Sequence, residues 1–197
     1  MNIVLIGPPG SGKGTQGERV ASQLGLDHIA MGDLLRAEIA EGTELGGEVA
    51  EYVERGDLVP DELILGIITP RILAAVAGNG YLLDGFPRSV PQAREARRFA
   101  EEMGAAADLA VYLDVPHGVL VERLLERART EGRADDTPEV IENRLAVFEE
   151  ATRPLVDYYR GRGLLEMVDA DRPLEDVTAD IIRLAEARGT PAPPRSR

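Results

Sequence analysis

Asn2-Ile3-Val4-Leu5-Ile6-Gly7-Pro8-Pro9-Gly10-Ser11-Gly12-Lys13-Gly14-Thr15 decides the reading of this chain. The run from Ile3 to Ile6 is apolar and ends in Gly and Pro, which marks a buried strand. The loop fits Gly-x-x-x-x-Gly-Lys, with Gly7 and Gly12 at its ends and Lys13 next. Its glycines let the backbone wrap a phosphate and turn N–H groups inward. The helix that begins near Lys13 adds the positive end of its dipole. Lys13 brings a compact charge to β- and γ-phosphates. The motif's hydroxyl position is Gly14 here, so that role passes to Thr15, which can reach a magnesium shell. Gly10, Ser11, Gly12, Lys13, Gly14 and Thr15 thus form the candidate phosphate site. A glycine-rich turn with a surface lysine would share the composition. The order of strand, loop, lysine and helix favours the phosphate loop.

Outward from this loop, apolar runs alternate with helix-period segments. The runs are Tyr81–Leu83, Leu109–Leu113 and Leu164–Val168, with Asp27–Ile29 a weaker one. Runs of this kind read as buried parallel strands, so the fold class is α/β with a parallel sheet of about five strands flanked by helices. Thr137 is a candidate N-cap with Pro138 at the first helical position. Ile141, Leu145, Phe148, Thr152, Leu155 and Tyr159 then share one helix face, with a kink expected at Pro154. Pro70 predicts a kink or break between Asp61 and Val76. Residues 30–59 read as small helices and turns inserted beside the core, and 127–137 as a short, charged insert. The core is expected over 1–29, 60–126 and 138–188, and a frayed tail over 189–197.

The chain has 197 residues, 44% hydrophobic and 29% charged, which suits one globular domain. It has no cysteine, so disulfides, iron–sulfur clusters and thiolate zinc sites are excluded, and with its two histidines, His28 and His117, far apart a His-based metal site is not expected. Neither histidine is expected to take part in chemistry. A net charge of −13 argues against nonspecific binding to nucleic acid or anionic membranes. No membrane span and no secretory leader is evident, so a cytoplasmic location is expected. Lys13 is the only lysine among 22 basic residues. Codon bias and salt adaptation both produce that imbalance.

The second motif is Tyr81-Leu82-Leu83-Asp84-Gly85-Phe86-Pro87-Arg88, followed by Gln92. Asp84 closes a strand where a carboxylate can hold magnesium-bound water. Arg88 follows a Gly-Phe-Pro turn, suited to gripping a phosphate with its planar fork. Together the two motifs make the chain resemble the adenylate kinases, within the nucleoside monophosphate kinase family, over about residues 1–187. The resemblance implies a P-loop NTPase-type core, an inserted monophosphate-binding segment and a lid of the short type, without structural zinc. It implies ATP, AMP and ADP as partners, Mg2+ with ATP, and no nucleic acid or membrane. A monomer is expected.

The resemblance carries over residue by residue. Gly32-Asp33-Leu34-Leu35-Arg36 is similar to the monophosphate-site helix, and Gly56 to Glu62 to the segment meeting the monophosphate base. Met31, Arg36, Asp57, Leu58, Val59, Gly85, Phe86, Pro87, Arg88 and Gln92 are thereby AMP-site candidates, joined by Arg133 and Arg144. Arg123 and Arg127 resemble the pair flanking the lid and, with Arg172, are assigned to ATP. Lys13, Arg88, Arg123, Arg127, Arg133 and Arg144 are the candidate catalytic cations. Gly132-Arg133-Ala134-Asp135-Asp136 resembles the lid motif, its aspartates orienting lid arginines. Thr15 and Asp84 are the candidate metal-shell residues.

One position departs. Adenylate kinases usually carry a hydroxyl residue before Gly-Asp, and here Ala30-Met31 stands there. Uridylate and cytidylate kinases often have a small apolar residue at that place. Leu58-Val59-Pro60-Asp61-Glu62 and Gln92, which can pair with an adenine edge, pull back toward AMP. The expected activity is ATP and AMP to two ADP, serving adenine nucleotide balance. The alternatives are a UMP/CMP or broad-specificity kinase, a small-metabolite kinase, and an inactive nucleotide-binding scaffold.

Overall fold

The structure is a computed structural model, and it describes residues 1–131 and 137–189. The expected lid positions Arg133, Asp135 and Asp136 lie outside the described residues, as does the tail from 190 onward.

Strands β1 (Asn2–Ile6), β2 (Asp27–Ala30), β3 (Tyr81–Asp84), β4 (Leu109–Asp114) and β5 (Leu165–Asp169) form one all-parallel sheet. Their order is β2-β3-β1-β4-β5, so β1 sits at the centre with Val4 opposite Leu83 on one side and Ala110 on the other. The expected five-stranded α/β fold is what forms. Asp27–Ile29 belongs to edge strand β2, where one partner suffices and a strong apolar run is unnecessary.

Alternation along the strands feeds two cores. Ile3, Leu5, Leu82, Val111 and Leu113 face helices α1 (Lys13–Leu24), α6 (His117–Glu131) and α9 (Leu174–Gly189). Val4, Ile6, Leu83 and Tyr112 face α4 (Asp61–Ala77), α5 (Val90–Glu102) and the chain around Leu155–Tyr159. Both faces are covered, which is why these strands read as unbroken apolar runs.

The stretch after β2 forms α2 (Met31–Glu41) and α3 (Glu44–Arg55), as the pattern predicted. Thr43 caps α3 by accepting from the Gly46 amide at 2.9 Å. Thr137 likewise caps α7 (Pro138–Val147), accepting from the Val140 amide at 3.4 Å.

Three local expectations change. The long helix expected from Thr137 divides into α7, a π-helical turn at Phe148–Thr152, and α8 (Leu155–Arg160). Pro154 has no amide to give and its ring crowds the preceding turn. The chain answers with a wider turn in which the Arg153 amide donates to the Phe148 carbonyl at 2.8 Å. All six residues of the predicted face remain buried. Pro70 does not break α4, which continues to Ala77. Ile64, Ile68 and Ala75 are buried on either side of it, and that packing holds the helix together. Arg127 to Glu131, expected in an irregular insert, are helical and complete α6.

Candidate active site

The site lies at the carboxyl ends of β1 and β3, where the strand order reverses and α/β sheets open a crevice. β1 runs into the glycine loop, and α1 starts at Lys13 after Gly12. Gly10 and Gly12 hold φ of +83° and +88°, a left-handed backbone that side-chain-bearing residues avoid. The Ser11 amide donates to the Pro8 carbonyl at 3.1 Å and tightens the loop. The Ser11 hydroxyl is buried.

Lys13 Nζ donates to the carbonyls of Gly7 at 2.8 Å and Pro8 at 3.0 Å. Burial pulls its pKa down to about 8, with Arg88, Arg144 and Arg127 pushing the same way and Asp84 opposing them. Four of the predicted site residues therefore act on one ammonium group. Gly14 and Thr15 form the exposed first turn of α1. Asp84 Oδ2 stands 3.7 Å from where a side-chain carbon on Gly14 would begin, so this carboxylate faces that turn.

Arg88 follows the cis Phe86–Pro87 peptide. Its Nε donates to the Gly85 carbonyl at 2.9 Å, and its own carbonyl accepts from Thr152 Oγ1 at 2.8 Å. Thr152 belongs to the π turn, so that turn props the backbone of Arg88. A hollow of about 90 Å³ joins Lys13, Gly56, Leu58, Arg88 and Arg144. Gly56 ends α3 at φ +77°, and a Cβ there would come within 2.5 Å of Arg144 Cγ. Beside it, Leu35, Leu58, Val59, Ile64, Phe86 and Gln92 line a narrow slot.

The remaining predicted residues fall into separate groups. Arg36 pairs with Asp33 at 2.5 Å on α2. Arg123 donates to the Ala170 carbonyl at 3.2 and 3.3 Å and to Asp171, and Arg172 pairs with Asp180 close by. These two arginines thus gather at the end of β5. Met31 is buried in the core beneath Gly85 and lines neither hollow. His28 packs its ring against Gly17 of α1, and Tyr158 and Tyr159 stack edge to face in the core.

Two contacts escaped the sequence reading. Asn143 Nδ2 donates to the Arg55 carbonyl at 2.7 Å and to Asp57 Oδ1 at 3.0 Å, tying the end of α3 to α7. Asn143 and then Arg55 hold the Asp57 carboxyl below its usual range. Asp61 Oδ1 accepts from Gln92 Nε2 at 2.5 Å. Asn143 directly precedes Arg144, and Asp61 sits in the Val59-Pro60-Asp61-Glu62 string. Adjacency was the only available signal.

Hard oxygen donors at Thr15 and Asp84, set beside a phosphate loop, suit Mg2+, which prefers few protein ligands and several waters. Among the described residues, no cluster of three His, Cys, Asp or Glu side chains could hold a metal, and no helix is long and apolar enough to cross a membrane.

A profile described as adenylate kinase matches residues 5–164 of the chain. An adenylate kinase of Stenotrophomonas maltophilia (strain K279a) is 45% identical over 187 residues, covering 95% of this chain and 100% of that protein. One from Thermobifida fusca is 43% identical over 95% of this chain and its own full length. One from Leptospira biflexa is 42% identical over 92% of this chain and 97% of its own. A phosphate loop at the centre of a parallel sheet, an arginine turn beside it and likeness along nearly the whole chain agree: the chain belongs to the adenylate kinase family.

Proposed function

We propose that this chain transfers a phosphoryl group reversibly from Mg-ATP to AMP, giving two ADP. The observation that carries the reading is the meeting of Lys13, Arg88 and Arg144 around one hollow, with Gln92 in the slot next to it. Phosphoryl transfer between nucleotides needs positioning and charge neutralisation more than covalent chemistry. The acceptor is already an anionic phosphate oxygen, so no general base is required.

The loop amides and Lys13 hold the ATP phosphates, and Arg123, Arg127 and Arg172 border them. Arg36 and Arg88 hold the monophosphate, and Arg144 bridges toward the transferred group. Arg133, with Asp135 and Asp136, is assigned to closing over the phosphates on the resemblance alone. Thr15 and, through water, Asp84 are the residues that would hold Mg2+. When bound, that ion neutralises charge on the phosphate oxygens. Residues 30–59 act as the monophosphate-binding insert and 127–137 as the lid, both excluding water so that ATP is not hydrolysed.

The base reading rests on Gln92. A carboxamide presents a donor and an acceptor side by side, matching the amino group and ring nitrogen on an adenine edge. Met31 is buried, with its Cβ beside Gly85, which borders the slot, so we keep it as a residue behind the base site. We also read the chain as a cytoplasmic monomer. Among the described residues the exposed large apolar side chains are few, Leu73 on α4, Phe99 and Met103 on and after α5, Met167 on β5 and Leu174 on α9.

The test is steady-state transfer from Mg-ATP to AMP, UMP, CMP, dAMP and GMP in parallel. AMP is expected to lead UMP and CMP by at least about tenfold in kcat/KM, within the range of about 1–3 kcal/mol that one bidentate base contact discriminates. Comparable UMP or CMP turnover would overturn the adenine assignment. No transfer to any acceptor would overturn the enzyme reading.

A further inference from the structure

We infer that Asp61 is a specificity-positioning residue: it sets which way the Gln92 carboxamide faces, and so which purine edge the site accepts. The inference rests on the proposed AMP site and goes beyond it by naming what orients the base-reading group.

Gln92 is almost fully buried, with 4% of its surface exposed. Its amide has two possible orientations, and the neighbours select one. The Arg88 amide donates to Gln92 Oε1 at 2.7 Å, so the oxygen must lie on that side. Asp61 Oδ1 takes the Nε2 hydrogen at 2.5 Å, so the nitrogen must lie on the other. A carboxylate only accepts, and a backbone N–H only donates. A flipped amide would set donor against donor and acceptor against acceptor. One Nε2 hydrogen and one Oε1 lone pair remain for a ligand. Gln92 borders the slot with Leu35, Val59, Ile64, Phe86 and Arg88, so the unused positions belong to the side chain set beside the apolar walls that would flank a base.

The order of donor and acceptor carries information. Adenine offers an amino donor next to a ring acceptor. Hypoxanthine offers a carbonyl acceptor next to a ring N–H donor, the reverse order. An amide locked one way accepts the first and rejects the second. Asp61 also opens α4, so it joins the helix that walls the slot to the side chain that reads the base. A purely structural role, as an acidic residue at the α4 N-terminus, would affect stability but leave the choice of base untouched.

The experiment compares kcat/KM for AMP and for inosine monophosphate in the wild type, Asp61→Ala and Asp61→Asn. Wild type is expected to prefer AMP strongly. Asp61→Ala should narrow the AMP-to-inosine-monophosphate ratio at least fivefold, through KM for the monophosphate, with KM for ATP within twofold of wild type. Asp61→Asn keeps an oxygen that can accept from Nε2 and should restore most of the ratio. An unchanged ratio in Asp61→Ala overturns the inference while leaving the AMP reading intact. A wild type that does not favour AMP overturns both. Should Asp61→Ala fail to fold, exchange of the Gln92 side-chain amide protons in wild type decides. Protection of one proton at least tenfold beyond exposed glutamines is expected, and equal, rapid exchange of both overturns the inference.

Discussion

At the residue scale, the proposed chemistry concentrates on Lys13. It is the only lysine in the chain, and its ammonium lies on loop carbonyls under the field of several arginines. The unfolded chain would hold that proton to about pH 10.4, whereas the folded one releases it near pH 8. Between those values the unfolded state binds more protons, so this residue's contribution to stability rises with pH. Binding of anionic phosphates runs the opposite way, since it needs the charged form. A pH series should therefore show kcat/KM for ATP falling as pH passes about 8, while kcat, measured with phosphates already bound, holds to higher pH. Lys13→Ala should lower kcat by about a hundredfold or more, the usual loss for one preorganised cation or donor at a transition state. Single-turnover transfer at saturating ATP and AMP measures it.

At the scale of elements, two prolines in helices meet different outcomes. Pro154 lies where the chain must both bury Phe148, Thr152 and Leu155 and support Arg88, and a π turn satisfies both needs. Pro70 lies inside α4 beyond Asp61 and Ile64, the α4 residues nearest the site, and the helix runs on regardless. Pro70→Ala would restore one helix hydrogen bond and remove a ring clash. It should stabilise the protein by about 1–3 kcal/mol, read as a rise of a few degrees in the calorimetric midpoint, with activity unchanged. Legibility in the sequence also varied by element. The glycine loop and the strand beneath it were plain because backbone geometry demands those residues. The Pro154 wide turn was not, because a period of 3.6 residues does not reveal where one extra residue will be accommodated.

At the scale of the molecule, charge dominates. A net charge of −13 spread over 197 residues makes the folded state repel itself, although many arginines form ion pairs with neighbours on the same helix. Such exposed pairs contribute little, so the net repulsion should prevail. Raising NaCl from 0.05 to 0.5 M screens it and should raise the thermal midpoint. A falling midpoint would mean that the surface ion pairs outweigh the repulsion. Against this background, Lys13, Arg88, Arg127 and Arg144 act on one another at the carboxyl ends of the central strands, a local concentration of cations that suits the proposed binding of anionic nucleotides.

The parallel sheet, its two covered faces, the phosphate loop and the Arg88 turn follow from local pattern. Short apolar runs, left-handed glycines and a proline turn impose their geometry over a few residues, whatever surrounds them. The partners of Asp61 and Asn143 do not follow in this way. Gln92 lies 31 residues from Asp61, and Asn143 lies 86 from Asp57. Each contact exists only because helices from distant parts of the chain pack at the same end of the sheet. The same holds for Arg123 of α6, brought to the Ala170 carbonyl at the end of β5 by strand order, and for Met31, sealed under Gly85 by the packing of α2. Backbone chemistry is local and can be read along the chain. The orientation of a side chain is set by what packs beside it, and only the folded structure supplies that neighbour.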